Sequence, residues 1–287
     1  MQRKCLAFVL GVAVLMQLGF ASAQQAGKIP RIGYLSPNSG ETPGSEAFRQ
    51  GLRALGYIEG KNIAIEYRWA DGKFERLTEL AAELVRLKVE VLVVQSGITA
   101  RAALKATTTI PIVMCTSGDA VGSGLIASLA RPGGNVTGLT NLTTELLEKR
   151  LGLLKEALPK ISRIGVLYNS TGGSERSGTE FEIHDKDTQR AAQQLAIKIE
   201  PLPVTLPALD FVGALRAAKG KRVNGLITAG SGSVMNVHRK RILELIIQNK
   251  LPAMHSEDWA ADGGLMYYGA STVEQHRRAA TYVDRIL

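Results

Sequence analysis

Residues 89–140 read VEVLVVQSGITARAALKATTTIPIVMCTSGDAVGSGLIASLARPGGNVTGLT, and this stretch decides the fold. Val91–Val94 is an apolar run too short for a lone helix and rich in β-branched residues, which predicts a buried strand. Ser96-Gly97 breaks that strand. Thr99 then stands where it could cap a helix over Ala100–Thr107, whose first backbone N–H groups have no partner inside the helix. A second short buried strand is expected over Ile112–Cys115, after Pro111, ending in the polar turn Thr116-Ser117-Gly118-Asp119. A helix over Gly122–Leu129 would follow. Two strands of one open sheet, each ending in small polar residues beside a helix start, make a crevice suited to a small ligand. Arg131-Pro132-Gly133-Gly134-Asn135 forces a turn, and Val136–Leu139 reads as a strand crossing out of the lobe. A binding site is therefore followed by a hinge.

At the beginning of the chain, Arg3 and Lys4 precede an apolar run, Leu6–Leu18, interrupted only by Gln17, and Ala21-Ser22-Ala23 is a small-x-small cleavage site. This pattern predicts a secretory signal over residues 1–23, removed after Ala23. A membrane anchor fits less well, because the run falls short of the roughly 20 residues a span needs. No cysteine stands at the cleavage point, which argues against lipid attachment there. Loss of Arg3 and Lys4 takes the formal charge from +9 to +7. That mild excess is spread along the chain, whereas a nucleic-acid face would show clustering. Cys5 leaves with the signal, so Cys115 has no partner for an internal disulfide and stability must come from an apolar core. The mature length of about 260 residues suits two lobes better than one.

The chain alternates short apolar runs with amphipathic helices. Arg31–Leu35 reads as a strand ending in Ser36-Pro37-Asn38-Ser39-Gly40, and Phe48, Leu52 and Leu55 recur on a helix stopped by Gly56. Asn62–Tyr67 reads as a strand, and Leu77, Leu80, Ala81 and Leu84 stripe the next helix. This alternation argues for an α/β protein whose parallel sheets carry helices on both faces. After the hinge the pattern starts again. Leu147, Leu151, Leu154 and Leu158 stripe a helix, and Arg163-Ile164-Gly165-Val166-Leu167 repeats Arg31-Ile32-Gly33-Tyr34-Leu35. Val223–Gly232 mirrors Val89–Gly97, and Leu251–Asp258 mirrors Ile110–Asp119. Two Rossmann-like lobes with parallel sheets follow: a first lobe over 29–138 and 270–287, and a second over 139–269. Gly264–Gly269 would be the second crossing, returning a helix over Val273–Leu287 to the first lobe.

Several segments resemble a known group. Ile29–Ser36, Gly56–Asn62, Gly118–Leu125 and Ala130–Gly138 (ARPGGNVTG) are similar to the ABC transporter substrate-binding proteins of the TrpX-like family. The resemblance covers essentially the whole mature chain, and its last two motifs are the more specific. It implies type I periplasmic binding protein architecture, a small-molecule ligand held between the lobes, an ABC permease in the inner membrane as partner, and no catalysis. It implies a periplasmic location and favours amino acids, aromatic ones among them, as ligands. Such proteins usually run a few tens of residues further, supplying a third crossing and a final first-lobe strand. A chain ending at Leu287 is therefore expected to lack them.

With a free amino acid as trial ligand, the carboxylate wants unpaired N–H donors and a positive dipole end, which the Ser96, Gly97 and Thr99 turn offers at its helix start. Thr99 could equally serve only as a cap. The ammonium wants a carboxylate, and Asp119 is the best placed, with Ser117 beside it; capping the Gly122–Leu129 helix is the alternative role. Ser36 and Asn38 lie at the end of the first strand, on the crevice side. From the second lobe come Tyr168, which could stack on an aromatic ligand or pack in the core, then Asn169, Ser231 and Gly232. His255 and Asp258 end another strand there and rank lowest.

An enzyme is the rival from another class. The chain contains no Gly-x-Ser-x-Gly elbow and no P-loop, and its four histidines lack metal-ligand spacing. Gly122-x-Gly124 and Gly230-x-Gly232 lack the third glycine and acidic partner of a dinucleotide site. No cofactor, metal or nucleic acid is expected, and the protein is read as a monomer. A periplasmic sensor component remains the alternative to transport.

Overall fold

The computed structural model describes residues 29–141, 143–171, 183–229 and 233–287. The expected signal segment, Ser231 and Gly232 lie outside them. Strands β1 (Arg31–Ser36), β2 (Ala64–Trp69), β3 (Val91–Val94), β4 (Ile112–Met114) and β5 (Val136–Gly138) form one parallel sheet, in the order β2-β1-β3-β4-β5. Strands β6 (Arg163–Asn169), β7 (Lys198–Val204), β8 (Gly225–Thr228), β9 (Ala253–His255) and β10 (Met266–Tyr267) form a second, ordered β7-β6-β8-β9-β10 when taken from its other edge. The two orders are the same, so the repeat seen in the sequence is a repeat of topology.

Pairing register shows why the Arg-Ile-Gly motif recurs. Gly33 sits opposite Leu92 on β3, and Gly165 opposite Leu226 on β8. A Cβ on Gly33 would lie 3.1 Å from the Leu92 Cδ2, and one on Gly165 would lie 3.2 Å from the Leu226 Cδ1 and 2.6 Å from the Leu202 Cδ1. In both lobes the glycine makes room for leucine. Arg31 pairs with Glu66 on β2 at 3.6 Å and Arg163 with Glu200 on β7 at 3.4 Å, again at equivalent positions.

Both faces of each sheet are apolar, as parallel strands under helices require. In the first lobe Ile32, Tyr34, Val91, Val93 and Val113 pack on one side, and Leu35, Leu92, Val94, Ile112 and Met114 on the other. Helix α1 (Pro43–Ala54) covers the first side and α2 (Leu77–Arg86) the second, its Leu77, Leu80, Ala81 and Leu84 all buried. The other helices are α3 (Gly97–Ala106), α4 (Thr143–Ala157), α5 (Lys186–Gln194), α6 (Phe211–Gly220), α7 (Ser233–Val237), α8 (Arg239–Gln248) and α9 (Thr272–Ile286). Leu147, Leu151 and Leu154 of α4 are fully buried in the second lobe. The last helix, α9, returns to lie along α1, where Gly51 lets the backbones close in: a Cβ there would meet Arg277 O at 2.4 Å.

Four local expectations shift. Helix α3 begins at Gly97 with Ser96 as its N-cap; Thr99 is the third helical residue and completes a reciprocal capping box with Ser96. The expected helix over Gly122–Leu129 is a succession of turns, with Gly124 at φ +70°, a left-handed conformation that ends any helix begun at Asp119. Val136–Gly138 is a paired edge strand of the first sheet, and the chain crosses after it. Strand β2 starts at Ala64 because Asn62 is held in a turn, its Nδ2 donating to Gly56 O at 2.9 Å.

Candidate functional site

In a parallel sheet the crevice lies beyond the carboxyl ends of the strands. On the first lobe these ends are Ser36, Gln95-Ser96 and the Cys115–Ser117 turn, all buried. Ser36 ends β1 in register with Trp69, which stacks on Tyr67 with ring centroids 5.7 Å apart. The Ser36 hydroxyl donates to Gln95 Oε1 at 2.7 Å and accepts the Asn38 backbone N–H at 3.2 Å. The Asn38 Nδ2 donates to the same Gln95 oxygen at 2.9 Å. Ser36 and Asn38 are thus brought together through Gln95, a residue absent from the sequence-based set.

At the start of α3, Ser96 N–H donates to the Thr99 hydroxyl at 2.8 Å, and that hydroxyl donates back to Ser96 O at 2.7 Å. Thr99 is fully buried, so its hydroxyl serves the cap. Gly97 allows the next turn to approach: a Cβ there would lie 3.3 Å from the Ser117 Oγ and 3.3 Å from the Leu125 Cδ1. Ser96, Gly97 and Ser117 are therefore neighbours. The hydroxyl of Thr116, beside Ser117, is buried without a hydrogen-bond partner. Asp119, half-buried, accepts the Gly122 N–H at 2.8 Å and caps a turn where a helix was expected.

On the second lobe, Tyr168 lies within β6 and is 2% exposed, packed in the cluster that holds Leu147, Leu151, Leu154 and Val166. That burial gives it a core role. Asn169, half-buried at the strand end, accepts the Thr171 N–H at 3.1 Å. The His255 Nδ1 lies 3.0 Å from the Thr228 Oγ1 and its ring 4.5 Å from that of Trp259, while its Nε2 is buried without a partner. Burial pushes the His255 pKa down to about 4. Asp258 is exposed and accepts the Ala260 N–H at 3.1 Å.

Polar side chains tie the two crossings between the lobes. Asn141 donates its N–H to Ser117 O at 2.8 Å and accepts from the Gln275 side chain of α9. Arg150, 3% exposed, donates from Nε to Tyr268 O at 2.7 Å. Thr272 donates its hydroxyl to Glu257, whose carboxyl is pushed up by burial and pulled back by Thr272 and Arg150. Arg150 and Glu257 were missed because neither stands in a motif.

The lobes also touch. Val234 of α7 is 1% exposed and belongs to the cluster built by Leu35, Ala70, Phe74 and Leu77 of the first lobe. Val237 packs against that cluster, its Cγ1 3.5 Å from where a Gly72 Cβ would lie. Met235, between them, faces the second-lobe core. Among the described residues no group of three or more His, Cys, Asp or Glu could hold a metal ion, and no helix is long and apolar enough to cross a membrane.

Two matched parallel sheets, strand ends rimmed with hydroxyls and amides, and lobes that meet across them define a type I periplasmic binding protein fold. The chain belongs to the ABC transporter substrate-binding protein family, whose model matches residues 42–287. Among solved structures it is similar to a conserved domain protein from Vibrio cholerae O1 biovar El Tor str. N16961, with 28% identity, coverage of 90% of this chain and 85% of that one, and a TM-score of 0.76. An ABC domain from Streptococcus pneumonia in complex with L-Trp has 18% identity over the same shares and a TM-score of 0.79. A tyrosine-binding protein of Clostridioides difficile (strain R20291) is 36% identical over 126 residues, which is 44% of this chain and 36% of that protein's length.

Proposed function

We propose that the chain is an exported solute-binding protein of an ABC importer that holds an aromatic amino acid, or a related small carboxylate, between its lobes and passes it to a permease in the inner membrane. The lobes would be 29–138 with 270–287, and 139–269, closing about the two crossings. The observation that carries this reading is the buried polar rim of the first lobe, Ser36, Gln95, Ser96 and Ser117, flanked by an apolar patch that the second lobe caps through Val234. The similarity to a tyrosine-binding protein favours an aromatic amino acid.

In this reading the ligand carboxylate lies at the start of α3 against Ser96, Gly97 and Ser117, with Thr99 holding the turn. Asp119 takes the ammonium. Ser36 and Asn38 close one side, and Asn169, Ser231 and Gly232 meet the ligand from the second lobe. Ligand bonded to both lobes shifts the population toward the closed form. Moving a mostly open protein to mostly closed needs about 5 kcal/mol of differential binding. Two or three charge-assisted hydrogen bonds at about 1.5–3 kcal/mol each supply that. The chemistry in this reading is binding without covalent change, in keeping with the substrate-binding protein family.

The test is a thermal-shift screen of the purified chain against L-tyrosine, L-tryptophan, L-phenylalanine, benzoate and L-leucine. A ligand at 100 times its dissociation constant adds about 2.7 kcal/mol to the folded state. That corresponds to a rise of several degrees for a domain of this size. A cooperative melt unmoved by every aromatic compound would refute the assignment.

A further inference from the structure

Resting on the reading of the crevice as an amino-acid site, we infer that Gln95 both orients Ser36 and Asn38 and donates its own amide N–H to the ligand carboxylate. One end of the amide is engaged by both neighbours. The Ser36 hydroxyl accepts the Asn38 N–H and donates to Gln95 Oε1 at 2.7 Å, and the Asn38 Nδ2 brings a second donor to the same atom at 2.9 Å. The carbonyl oxygen Oε1 has two lone pairs to accept them both. The Nε2 is thereby turned away from both partners. It makes no hydrogen bond among the described residues, and Gln95 as a whole is 7% exposed.

Its position decides what it can recognise. Gln95 directly precedes Ser96, the N-cap of α3, so its amide donor stands beside the positive end of that helix. A donor beside a positive dipole end suits an anionic oxygen. The pairing also has a rigid support: Ser36 is fully buried at the end of β1, and β1 and β3 are hydrogen-bonded neighbours. Ser36 and Asn38 are then positioning partners, and Gln95 is the residue that distinguishes a carboxylate from a neutral group.

Gln95→Glu tests this, because a carboxylate still accepts from Ser36 and Asn38 but offers no donor. Isothermal titrations at about pH 6, where both amines are charged, would use L-tyrosine and L-tyrosinamide, which then differ only at the carboxyl group. The variant should lose about 10- to 100-fold in affinity for L-tyrosine, the worth of one hydrogen bond to a charged group. Its affinity for L-tyrosinamide should stay within about threefold. Equal losses for the two probes would mean that Gln95 acts only through local structure, and would overturn the inference while leaving the binding function standing. A wild-type chain that binds neither probe would remove the underlying reading and the inference with it. Should Gln95→Glu fail to fold, Asn38→Ala at a half-buried loop position reads the same coupling: it frees the amide and should weaken L-tyrosine more than L-tyrosinamide, and equal weakening would again overturn the assignment.

Discussion

Truncating Val234 to alanine separates a contact between lobes from ordinary core packing. The side chain is 1% exposed and lies in the first-lobe cluster although α7 belongs to the second lobe. Valine to alanine removes two methyl groups, worth roughly 0.8 kcal/mol each when buried, so about 1.6 kcal/mol is lost. If the contact exists only when the lobes are together, all of that loss falls on closure. The ratio of open to closed protein then rises about 15-fold, and the apparent dissociation constant rises by up to the same factor. Ligand-free stability of each lobe should hardly move. Titration calorimetry with L-tyrosine and X-ray scattering of both chains at one sub-saturating L-tyrosine concentration measure the two quantities, with a larger radius of gyration expected for the variant. Met235→Ala is the control on the same helix. Met235 is 1% exposed in the second-lobe core, so its loss should cost about 2–5 kcal/mol of folding stability and leave affinity alone. If Val234→Ala instead lowers the melting temperature as Met235→Ala does, with unchanged affinity and scattering, the lobes form one rigid body and the hinge reading fails.

Two further outcomes follow from packing and protonation. Gly51→Ala drives a methyl to 2.4 Å from Arg277 O and 2.9 Å from the Ala280 Cβ, so α1 and α9 must separate; a loss of about 1–3 kcal/mol is expected by chemical denaturation, and an unchanged midpoint would refute the close approach. His255, pushed down to about 4, stays neutral in the fold while the unfolded chain takes up a proton below about 6.5. The unfolded state therefore binds more protons between those values, and stability falls as pH drops from about 6.5 to 4, by up to roughly 3 kcal/mol from this residue. His276 and His238 are also lowered by burial and add to the same trend. Denaturation midpoints between pH 7 and 4.5 check it, and His255→Gln should flatten the slope.

What could be read ahead of the structure was whatever is written locally. The Arg-Ile-Gly repeat marked two equivalent lobes because the glycine answers a leucine on the neighbouring strand in each, Leu92 and Leu226. Leu77, Leu80, Ala81 and Leu84 gave a helix face because burial has the period of the helix. Capping was half legible: Ser-x-x-Thr is a reciprocal box whose first member opens the helix, so Ser96 and not Thr99 is the cap. A helix was expected over Gly122–Leu129, but Gly124 takes the left-handed conformation at little cost, and the turn prevailed.

The missed residues share a different property, which is distance along the chain. Gln95 meets Ser36 across 59 positions and Asn38 across 57, and neither a period nor a motif links them. Val234 looks like any apolar neighbour of Met235; only the fold divides the two between lobes. Topology would have recovered the first case. Once strand order is taken as 2-1-3-4-5, β1 and β3 are adjacent, and the residues just past their carboxyl ends must be neighbours. Ser36 and Asn38 on one side and Gln95 and Ser96 on the other then form one polar group before any coordinate is known. Among these, only the two amides, Asn38 and Gln95, can accept two hydrogen bonds on one atom and still present a donor on another, and it is Gln95 that accepts from both neighbours. No such rule reaches Val234, because strand order within each sheet says nothing of how one sheet's helices pack against the other unit.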